Sequence, residues 1–348
     1  MGYAALKHFA SEPDCDVVCV SRRQPEDLFG ARFVPIDLTD RQGAERALRA
    51  AGPVSHVVYA ALHEQPDLVS GWREEEQIAI NDGMLRNLLD PLLGAGHLRH
   101  VTLLQGTKAY GVHARAMAVP AREGRSEARD IANFYWQQED YVRAAQAGAD
   151  WGFTILRPVL IVGFSLGSAM NLVPAIGVYG AMLKAAGEPL HYPGGPPRMA
   201  QAIDADVLAR CIAWAGEAPS ARNEVFNVAN GDVYVWQNIW PAIADAMGMA
   251  TGAARTCFMA REIASREGDW ARIRARHGLQ APDLGRFVGL SFQYADYQLG
   301  TGRREAAPPA FSSTIKLMQA GFHEVIDTEA MWVKWLRQFQ ERGLLPRP

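Results

Sequence analysis

Short apolar runs alternate with longer segments of helical spacing along the first half of the chain. The runs have the length and composition of buried strands, and the longer segments repeat apolar residues as amphipathic helices do. The predicted strands cover 16–21, 56–61, 100–104 and 151–158, and another runs from 32 into a turn near 40. The predicted helices cover 1–9, 41–51, 75–93 and 133–146. This alternation predicts an α/β fold with a Rossmann-like, doubly wound parallel sheet.

From about residue 163, the alternation gives way to irregular segments rich in glycine, proline and aromatic residues. Helices are predicted at 205–215, 237–247, 259–277 and 329–341, and a strand at 224–229. Most large apolar side chains here are expected in the core, among them Phe164, Met170, Met199, Trp270, Phe287 and Phe292. We therefore predict an NADP-binding Rossmann domain over 1–160 and a smaller mixed lobe, mainly substrate-binding, over 161–348, with segments returning to the sheet.

The chain opens on a predicted helix, whereas a dinucleotide-binding unit opens on a strand and a glycine-rich turn. Gly2 fits the last glycine of such a turn, at the start of the helix that would face the pyrophosphate. The first strand and the earlier glycines are then expected ahead of residue 1. A start codon assigned too late, a shortened chain and replacement by another segment all remain open.

Composition narrows the class of partner. The 348 residues are 49% hydrophobic and 21% charged, as in ordinary globular proteins. A net charge of −3 with scattered basic residues argues against nucleic acid and favours a small molecule. Neither a membrane-spanning run nor a signal peptide is recognisable, so a cytoplasmic protein without a membrane partner is expected. The four cysteines lack metal-ligand spacing, and no metal site is predicted. Oligomeric state stays open, with a homodimer as one option.

Two arginines, Arg22 and Arg23, follow the predicted strand 16–21. An acidic residue at this place selects the ribose of NAD, whereas guanidinium groups suit the 2′-phosphate of NADP. The pair favours NADPH as the cofactor, with a solvated basic loop as the alternative. Asp37, after the next strand, is placed to meet the adenine side.

Tyr135 and Lys108 are the candidate catalytic residues. Tyr135 lies in the first turn of a helix that we predict Asn133 to cap, and Lys108 follows the strand 100–104 in a glycine-containing loop. The carboxyl ends of parallel strands form the ligand crevice, and a following helix can bring a second group to it. A phenol beside an ammonium polarises an oxygen, which indicates a reductase. The alternative is an ordinary helical tyrosine and a solvated lysine.

The helix motif carries a family resemblance. Residues 133–140, NFYWQQED, resemble the Asn-Phe-Tyr-Tyr-x-x-Glu-Asp motif of the progesterone 5β-reductase/iridoid synthase-like family, an atypical branch of the extended short-chain dehydrogenases/reductases. Trp136 replaces the second tyrosine of the motif, which leaves Tyr135 as the catalytic phenol. Residues 105–110, QGTKAY, resemble the family's Gln-Thr-Gly-x-Lys-His-Tyr loop, one residue shorter and without the histidine. Further similar segments are 21–23, 37–38, 157–158, 163–165, 168–171, 226–232 and 321–322.

This resemblance implies NADPH-dependent 1,4-reduction of the activated C=C bond of a small apolar enone, whether steroid-like, monoterpenoid or smaller. Hydride would reach the β-carbon, Tyr135 would stabilise the enolate oxygen, and Lys108 would orient the phenol or add positive potential. The residues implied around the cofactor are Arg22, Arg23, Asp37, Leu38, Ala61, Leu62, Gln105, Tyr135, Ile161, Ser168, Ala169 and Met170, with Gly2 if its turn forms.

Two other functions stay open. A carbonyl reductase or sugar-nucleotide epimerase of the extended short-chain fold would use a Tyr-x-x-x-Lys pair, but Glu139 stands four residues after Tyr135. A sensor that binds NADP without turnover would not need Tyr135 and Lys108 to converge. The relative position of these two side chains therefore discriminates between catalysis and sensing.

Overall fold

The computed structural model describes residues 1–65, 72 and 74–348. They form two compact units, each built from three stretches of the chain. The first unit comprises Met1–Val159, Ala205–Ala229 and Ser312–Glu324, and the second comprises Leu160–Asp204, Asn230–Phe311 and Val325–Pro348. Among the helices of the described residues, none has both the length and the apolar character that crossing a bilayer requires.

Strands and helices are numbered in chain order. The strands are β1 (Val18–Ser21), β2 (Arg32–Pro35), β3 (His56–Tyr59), β4 (His100–Leu104), β5 (Gly152–Pro158), β6 (Leu160–Val162), β7 (Leu190–His191), β8 (Met199–Ala200), β9 (Ala202–Asp204), β10 (Glu224–Val228), β11 (Tyr234–Val235) and β12 (Thr251–Gly252). The helices are α1 (Gly2–Ser11), α2 (Arg41–Ala51), α3 (Glu75–Ala95), α4 (Phe134–Gln146), α5 (Leu172–Ala185), α6 (Ala205–Glu217), α7 (Trp236–Ala246), α8 (Met259–Glu262), α9 (Glu267–His277), α10 (Leu284–Phe287), α11 (Ser291–Leu299), α12 (Ile315–Ala320) and α13 (Thr328–Glu341).

Parallel strands form the centre of the first unit. A four-stranded sheet has the order β10-β5-β4-β3, and β1 and β2 form a separate parallel pair. Every residue of β5 is buried, as expected for a parallel strand covered on both faces. Each strand and helix predicted for this half of the chain is present, with ends shifted by at most a few residues. The predicted α/β fold class is confirmed.

Short strand pairs and helices build the second unit. β6 pairs with β9 and β7 with β12 in parallel, whereas β8 pairs with β11 antiparallel. Its core contains the stacked rings of Trp270 and Phe287, with Phe339 packed against Phe287 and Phe164. Met199, on the two-residue strand β8, is 49% exposed and so is one of the large apolar residues of this lobe that lie outside the core.

The helix predicted over 259–277 is in fact two helices, α8 and α9. The break contains neither glycine nor proline, and tertiary contacts fix it instead. The Asp296 carboxylate accepts hydrogen bonds from the first two N–H groups of α8. In α9, the Glu267 carboxylate accepts one from the Leu284 N–H. These distant partners hold the two helix starts separately, which local sequence does not reveal.

Two histidines face each other at the beginnings of β3 and β4. His56 and His100 are register partners, and their stacked rings have centroids 6.3 Å apart. The His100 ring is buried, and its Nε2 has no hydrogen-bond partner among the residues that the structure describes. Burial, and then the charges of His56 and Arg222, lower the His100 pKa from 6.5 to about 4.

The buried His100 is expected to make the first unit sensitive to acid. Because the pKa of His100 is lower in the folded protein than in the unfolded chain, the contribution of His100 to the free energy of unfolding is complete above pH 6.5. This contribution is lost as pH falls toward 4. At pH 5 the loss should be of order 2 kcal/mol. His100→Gln should reduce the fall in unfolding free energy between pH 7 and 5, measured in urea, whereas exposed His97→Gln should not. The same pH dependence in all three proteins would contradict this prediction.

Candidate active site

Asn133 joins the loop that carries Lys108 to the helix that carries Tyr135. Its Oδ1 caps α4 by accepting a hydrogen bond from the Tyr135 N–H at 3.1 Å. Its Nδ2 donates to the Lys108 carbonyl oxygen at 3.3 Å. The predicted cap is confirmed, and it also fixes the backbone of one candidate catalytic residue relative to the other.

Gln105 makes a second connection between the same two segments. Its Nε2 donates to the Tyr135 carbonyl oxygen at 3.1 Å and to the Glu139 carboxylate at 3.2 Å. Its Oε1 accepts from Arg157 Nε at 2.8 Å. The side chain of Gln105 therefore holds the end of β4 against α4. Its backbone is separate from these bonds and can contact a cofactor.

Arg157 is fully buried at the end of β5, and its guanidinium pairs with two acids from separate parts of the chain. It lies 3.0 Å from Glu139 and 2.8 Å from Glu127. It also donates to the Tyr110 hydroxyl at 3.3 Å, and that hydroxyl donates to Asn227 at 2.6 Å. A buried ion pair is tolerated when its remaining polar atoms are satisfied, as they are here.

Tyr135 lies in a buried aromatic cluster. Its ring packs edge-to-face on Phe134 at 4.9 Å and on Trp72 at 5.4 Å between centroids. Its hydroxyl lies above Gly106: a β-carbon at Gly106 would be 3.4 Å from the Tyr135 Oη and 3.4 Å from the Pro158 carbonyl oxygen. The glycine therefore keeps the space around the phenol open.

Lys108 follows β4 in the 3₁₀ turn Thr107–Tyr110, and its side chain lies against the same cluster. Its Nζ is 3.2 Å from the centroid of the Trp72 ring, in a cation–π contact. Burial lowers the Lys108 pKa to about 7, and the negative charge of Glu64 opposes that shift. The ammonium is thus held in a weakly hydrated site near the Glu64 carboxylate.

The two predicted catalytic residues converge on one indole. Trp72 presents a face to the Lys108 ammonium and contacts the Tyr135 ring. Sequence reasoning missed Trp72 and its partner Glu64. Neither lies in a motif or in a periodic segment, so no local signal identifies them.

Most predicted cofactor residues of the first unit follow its strands on the carboxyl side. Arg22 and Arg23 come after β1, Asp37 and Leu38 after β2, Ala61 and Leu62 after β3, and Gly2 begins α1. Hydrogen bonds from the Thr39 N–H and hydroxyl lower the pKa of Asp37, with a smaller effect of the Arg22 charge. A β-carbon at Gly2 would lie 3.9 Å from the Ala60 side chain, so the start of α1 lies beside the residue that follows β3.

The other predicted cofactor residues belong to the second unit. Ile161 lies in β6, opposite Ile203 of β9. Ser168, Ala169 and Met170 precede α5, and the Ser168 carbonyl oxygen accepts a 2.5 Å hydrogen bond from the Ser291 hydroxyl. Their role at a cofactor stays a prediction.

Comparison with known proteins adds independent evidence. The PRISE-like Rossmann-fold domain family matches residues 70–295. A 3-oxo-Δ(4,5)-steroid 5β-reductase from Arabidopsis thaliana is 28% identical over 341 residues, which cover 93% of this chain and 84% of the relative. An (S)-8-oxocitronellyl enol synthase from Nepeta racemosa is 29% identical over 329 residues, 90% of this chain and 79% of the relative. Another from Nepeta cataria is 31% identical over 230 residues, 63% of this chain and 58% of the relative.

Solved structures with low sequence identity share the fold. The Bordetella bronchiseptica enzyme WbmG, in complex with NAD and UDP, superposes with a TM-score of 0.64 at 15% identity, covering 98% of this chain and 92% of that one. UDP-glucose 4-epimerase from Thermotoga maritima, with UDP-glucose, gives 0.65 at 15% identity, covering 98% and 96%. At such identities the likeness supports the Rossmann fold alone.

Proposed function

The chain belongs to the PRISE-like Rossmann-fold family, and from this premise we propose that it is an NADPH-dependent reductase of the activated C=C bond of enones. The observation that carries the proposal is the convergence of Tyr135 and Lys108 on Trp72 inside a buried aromatic cluster. A phenol and an ammonium in such a place can polarise a carbonyl oxygen, and the apolar surroundings suit an apolar enone. The relatives named as a steroid 5β-reductase and as enol synthases support the same chemistry.

The residues of the first unit fit a phosphorylated dinucleotide. Arg22 and Arg23 are exposed just after β1, and neither guanidinium forms an ion pair or hydrogen bond with any residue that the structure describes. Two free guanidinium groups at the carboxyl end of a parallel strand suit the 2′-phosphate of NADPH. Exposed Ala60 and the start of α1 at Gly2 offer small residues that a pyrophosphate can approach.

In the proposed reaction the bound NADPH supplies a hydride. Reduction at the β-carbon moves negative charge onto the carbonyl oxygen of the enone. Tyr135 donates a hydrogen bond to that oxygen, and Lys108 adds positive potential through the shared cluster. Preplaced donors of this kind act most strongly where water is excluded, as around the buried Tyr135 ring. A proton from solvent at the α-carbon completes the saturated ketone.

Glu139 disfavours the alternative of alcohol oxidation or epimerisation. It stands where the lysine of a Tyr-x-x-x-Lys pair would lie, and its carboxylate binds Arg157 and Gln105. This acid places a negative charge one helical turn from Tyr135, where a Tyr-x-x-x-Lys pair places a positive one.

Turnover with purified protein tests the proposal. We expect NADPH consumption with 2-cyclohexen-1-one or progesterone, and a saturated ketone identified by mass spectrometry and NMR. A product with the C=C bond intact and the carbonyl reduced would contradict it. Tight NADPH binding without turnover of either enone would favour a sensor.

The choice of NADPH over NADH is expected to depend on Arg22 and Arg23. Replacing both with alanine should raise the Kd for NADPH by about tenfold or more, because charge-assisted hydrogen bonds to phosphate are worth about 1.5–3 kcal/mol. The Kd for NADH should stay unchanged, since it lacks that phosphate. Arg46→Ala, an exposed arginine on α2, serves as the control for general charge effects. Equal weakening of both nucleotides, measured by fluorescence titration, would show that these arginines do not read the phosphate.

A further inference from the structure

Trp72 contacts both candidate catalytic residues, Lys108 and Tyr135. Its indole face carries the Lys108 ammonium at 3.2 Å from the ring centroid. The same ring packs on Phe134 at 4.7 Å in a tilted arrangement and on Tyr135 at 5.4 Å edge-to-face, between centroids. The ring is 2% exposed, so the cation–π contact is shielded from water, where such contacts are strongest.

Glu64 binds the N–H group of this indole. Its Oε1 accepts a hydrogen bond from the Trp72 Nε1–H, and its Oε2 is buried without a hydrogen-bond partner among the described residues. A carboxylate bound to the indole N–H raises the electron density of the ring, which strengthens its attraction for a cation on its face. Glu64, Trp72 and Lys108 therefore form one continuous acid–indole–ammonium arrangement.

The charges in this arrangement depend on one another. Burial raises the Glu64 pKa, and the Lys108 charge is the largest effect opposing that rise. Burial likewise lowers the Lys108 pKa to about 7, and Glu64 is the charge that opposes it. An isolated buried ammonium would lose its proton, whereas a carboxylate and an aromatic face compensate for part of the lost hydration.

We propose that Glu64 and Trp72 are positioning residues for the proposed reduction: Trp72 seats the Lys108 ammonium beside Tyr135, and Glu64 orients the indole and favours the charged form of Lys108. The inference rests on the proposed function for its catalytic meaning. The effect of Glu64 and Trp72 on the position and charge of Lys108 can be measured without any substrate.

In the described part of the chain, the other ionisable groups around Lys108 have different partners. From α4 the phenol of Tyr135 packs on the same indole, while Glu139 turns inward to Arg157 and Gln105. Tyr110, in the turn that carries Lys108, bonds to Asn227. Among the residues that the structure describes, Glu64 is accordingly the acid that balances Lys108.

Nuclear magnetic resonance of protein labelled with [ε-¹³C]lysine tests the proposal directly. The chain has few lysines, at 7, 108, 184, 316 and 334, and the Lys108 signal is identified by its loss in Lys108→Arg. In the unaltered protein we expect this signal to titrate with a midpoint near pH 7. Glu64→Gln and Trp72→Leu should each weaken proton binding at Lys108 at least tenfold. Glu76→Gln, an exposed acid on α3, should leave the midpoint unchanged.

Trp72→Phe is the control for a packing defect in Trp72→Leu. It keeps an aromatic face for Lys108 but loses the N–H group that binds Glu64. We expect its effect to lie between those of the unaltered protein and Trp72→Leu. The pH profile of kcat should shift together with the Lys108 midpoint in Glu64→Gln. A Lys108 midpoint unchanged in Glu64→Gln, or in both Trp72 variants, overturns the proposal. If the unaltered protein still reduces enones, the proposed function survives that failure; if it does not, the titration still decides the positioning roles.

Discussion

Replacing Tyr135 with phenylalanine is expected to lower kcat for enone reduction by about 100- to 1000-fold, the usual effect of removing one donor to a developing oxyanion. The phenol hydroxyl lies beside Gly106, while the ring packs on Trp72 and Phe134. Phenylalanine keeps that packing and loses the donor. The Kd for NADPH should therefore remain close to that of the unaltered protein.

Tyr141→Phe is the matched control, because it removes a hydroxyl from the same helix. That hydroxyl donates to Asp90 and has no contact with the aromatic cluster of Trp72 and Tyr135 in the described residues. Steady-state kinetics should show near-normal turnover for this variant. A Tyr135→Phe protein that turns over within threefold of the unaltered one would remove Tyr135 from its proposed role and leave Lys108 as the sole candidate.

The sequence was most informative where structure is determined locally. The cap at Asn133 and the buried strand β4 were both predicted from a few adjacent residues, and both are present. Because parallel strands direct their carboxyl ends to one edge, the approach of Lys108 to Tyr135 also followed from fold class. The family resemblance drawn from residues 133–140 is confirmed by the family match.

Helix α5 shows what local reasoning cannot detect. The sequence pattern predicts no helix for this segment, which contains Pro174, Gly177 and Gly180, yet all three lie in a buried helix. Pro174 is in the first turn, where a helix needs no N–H from it. A β-carbon at Gly177 would collide with Leu345, and one at Gly180 with Met247, so these glycines allow close packing against residues distant in sequence.

Trp72, Glu64 and Arg157 show the same limit within the site. Arg157 was noted only as part of a similar segment, because its partners at 105, 110, 127 and 139 are far apart in the chain. Trp72 and Glu64 meet Lys108 only after folding. Groups assembled from several loops carry no periodicity, and single-sequence reasoning identifies them only when they fall within a motif.

Among the proposed substitutions, Arg157→Met is expected to cause the largest loss of stability, about 3–5 kcal/mol, because it removes the buried cation that pairs with Glu139 and Glu127. The other two arginines that bind Glu139, Arg129 and Arg143, are partly exposed. Arg157 is completely buried, and Glu139 is only 4% exposed. Methionine retains much of the volume of the side chain, so the loss would report charge and hydrogen bonding rather than a cavity. Urea denaturation followed by circular dichroism gives the free energy of unfolding.

Arg129→Met tests whether the stability lost in Arg157→Met comes from the burial of the arginine or simply from its ion pair with Glu139. Arg129 binds the same Glu139 at 3.2 Å but is 47% exposed, and exposed pairs contribute less than about 1 kcal/mol. Adding Glu139→Gln to Arg157→Met should recover part of the loss, since a neutral amide needs no counter-charge. Equal destabilisation by Arg157→Met and Arg129→Met would contradict this account. Because Arg157 also holds Gln105, which bonds to the Tyr135 carbonyl, turnover by Arg157→Met should fall even at temperatures where it remains folded.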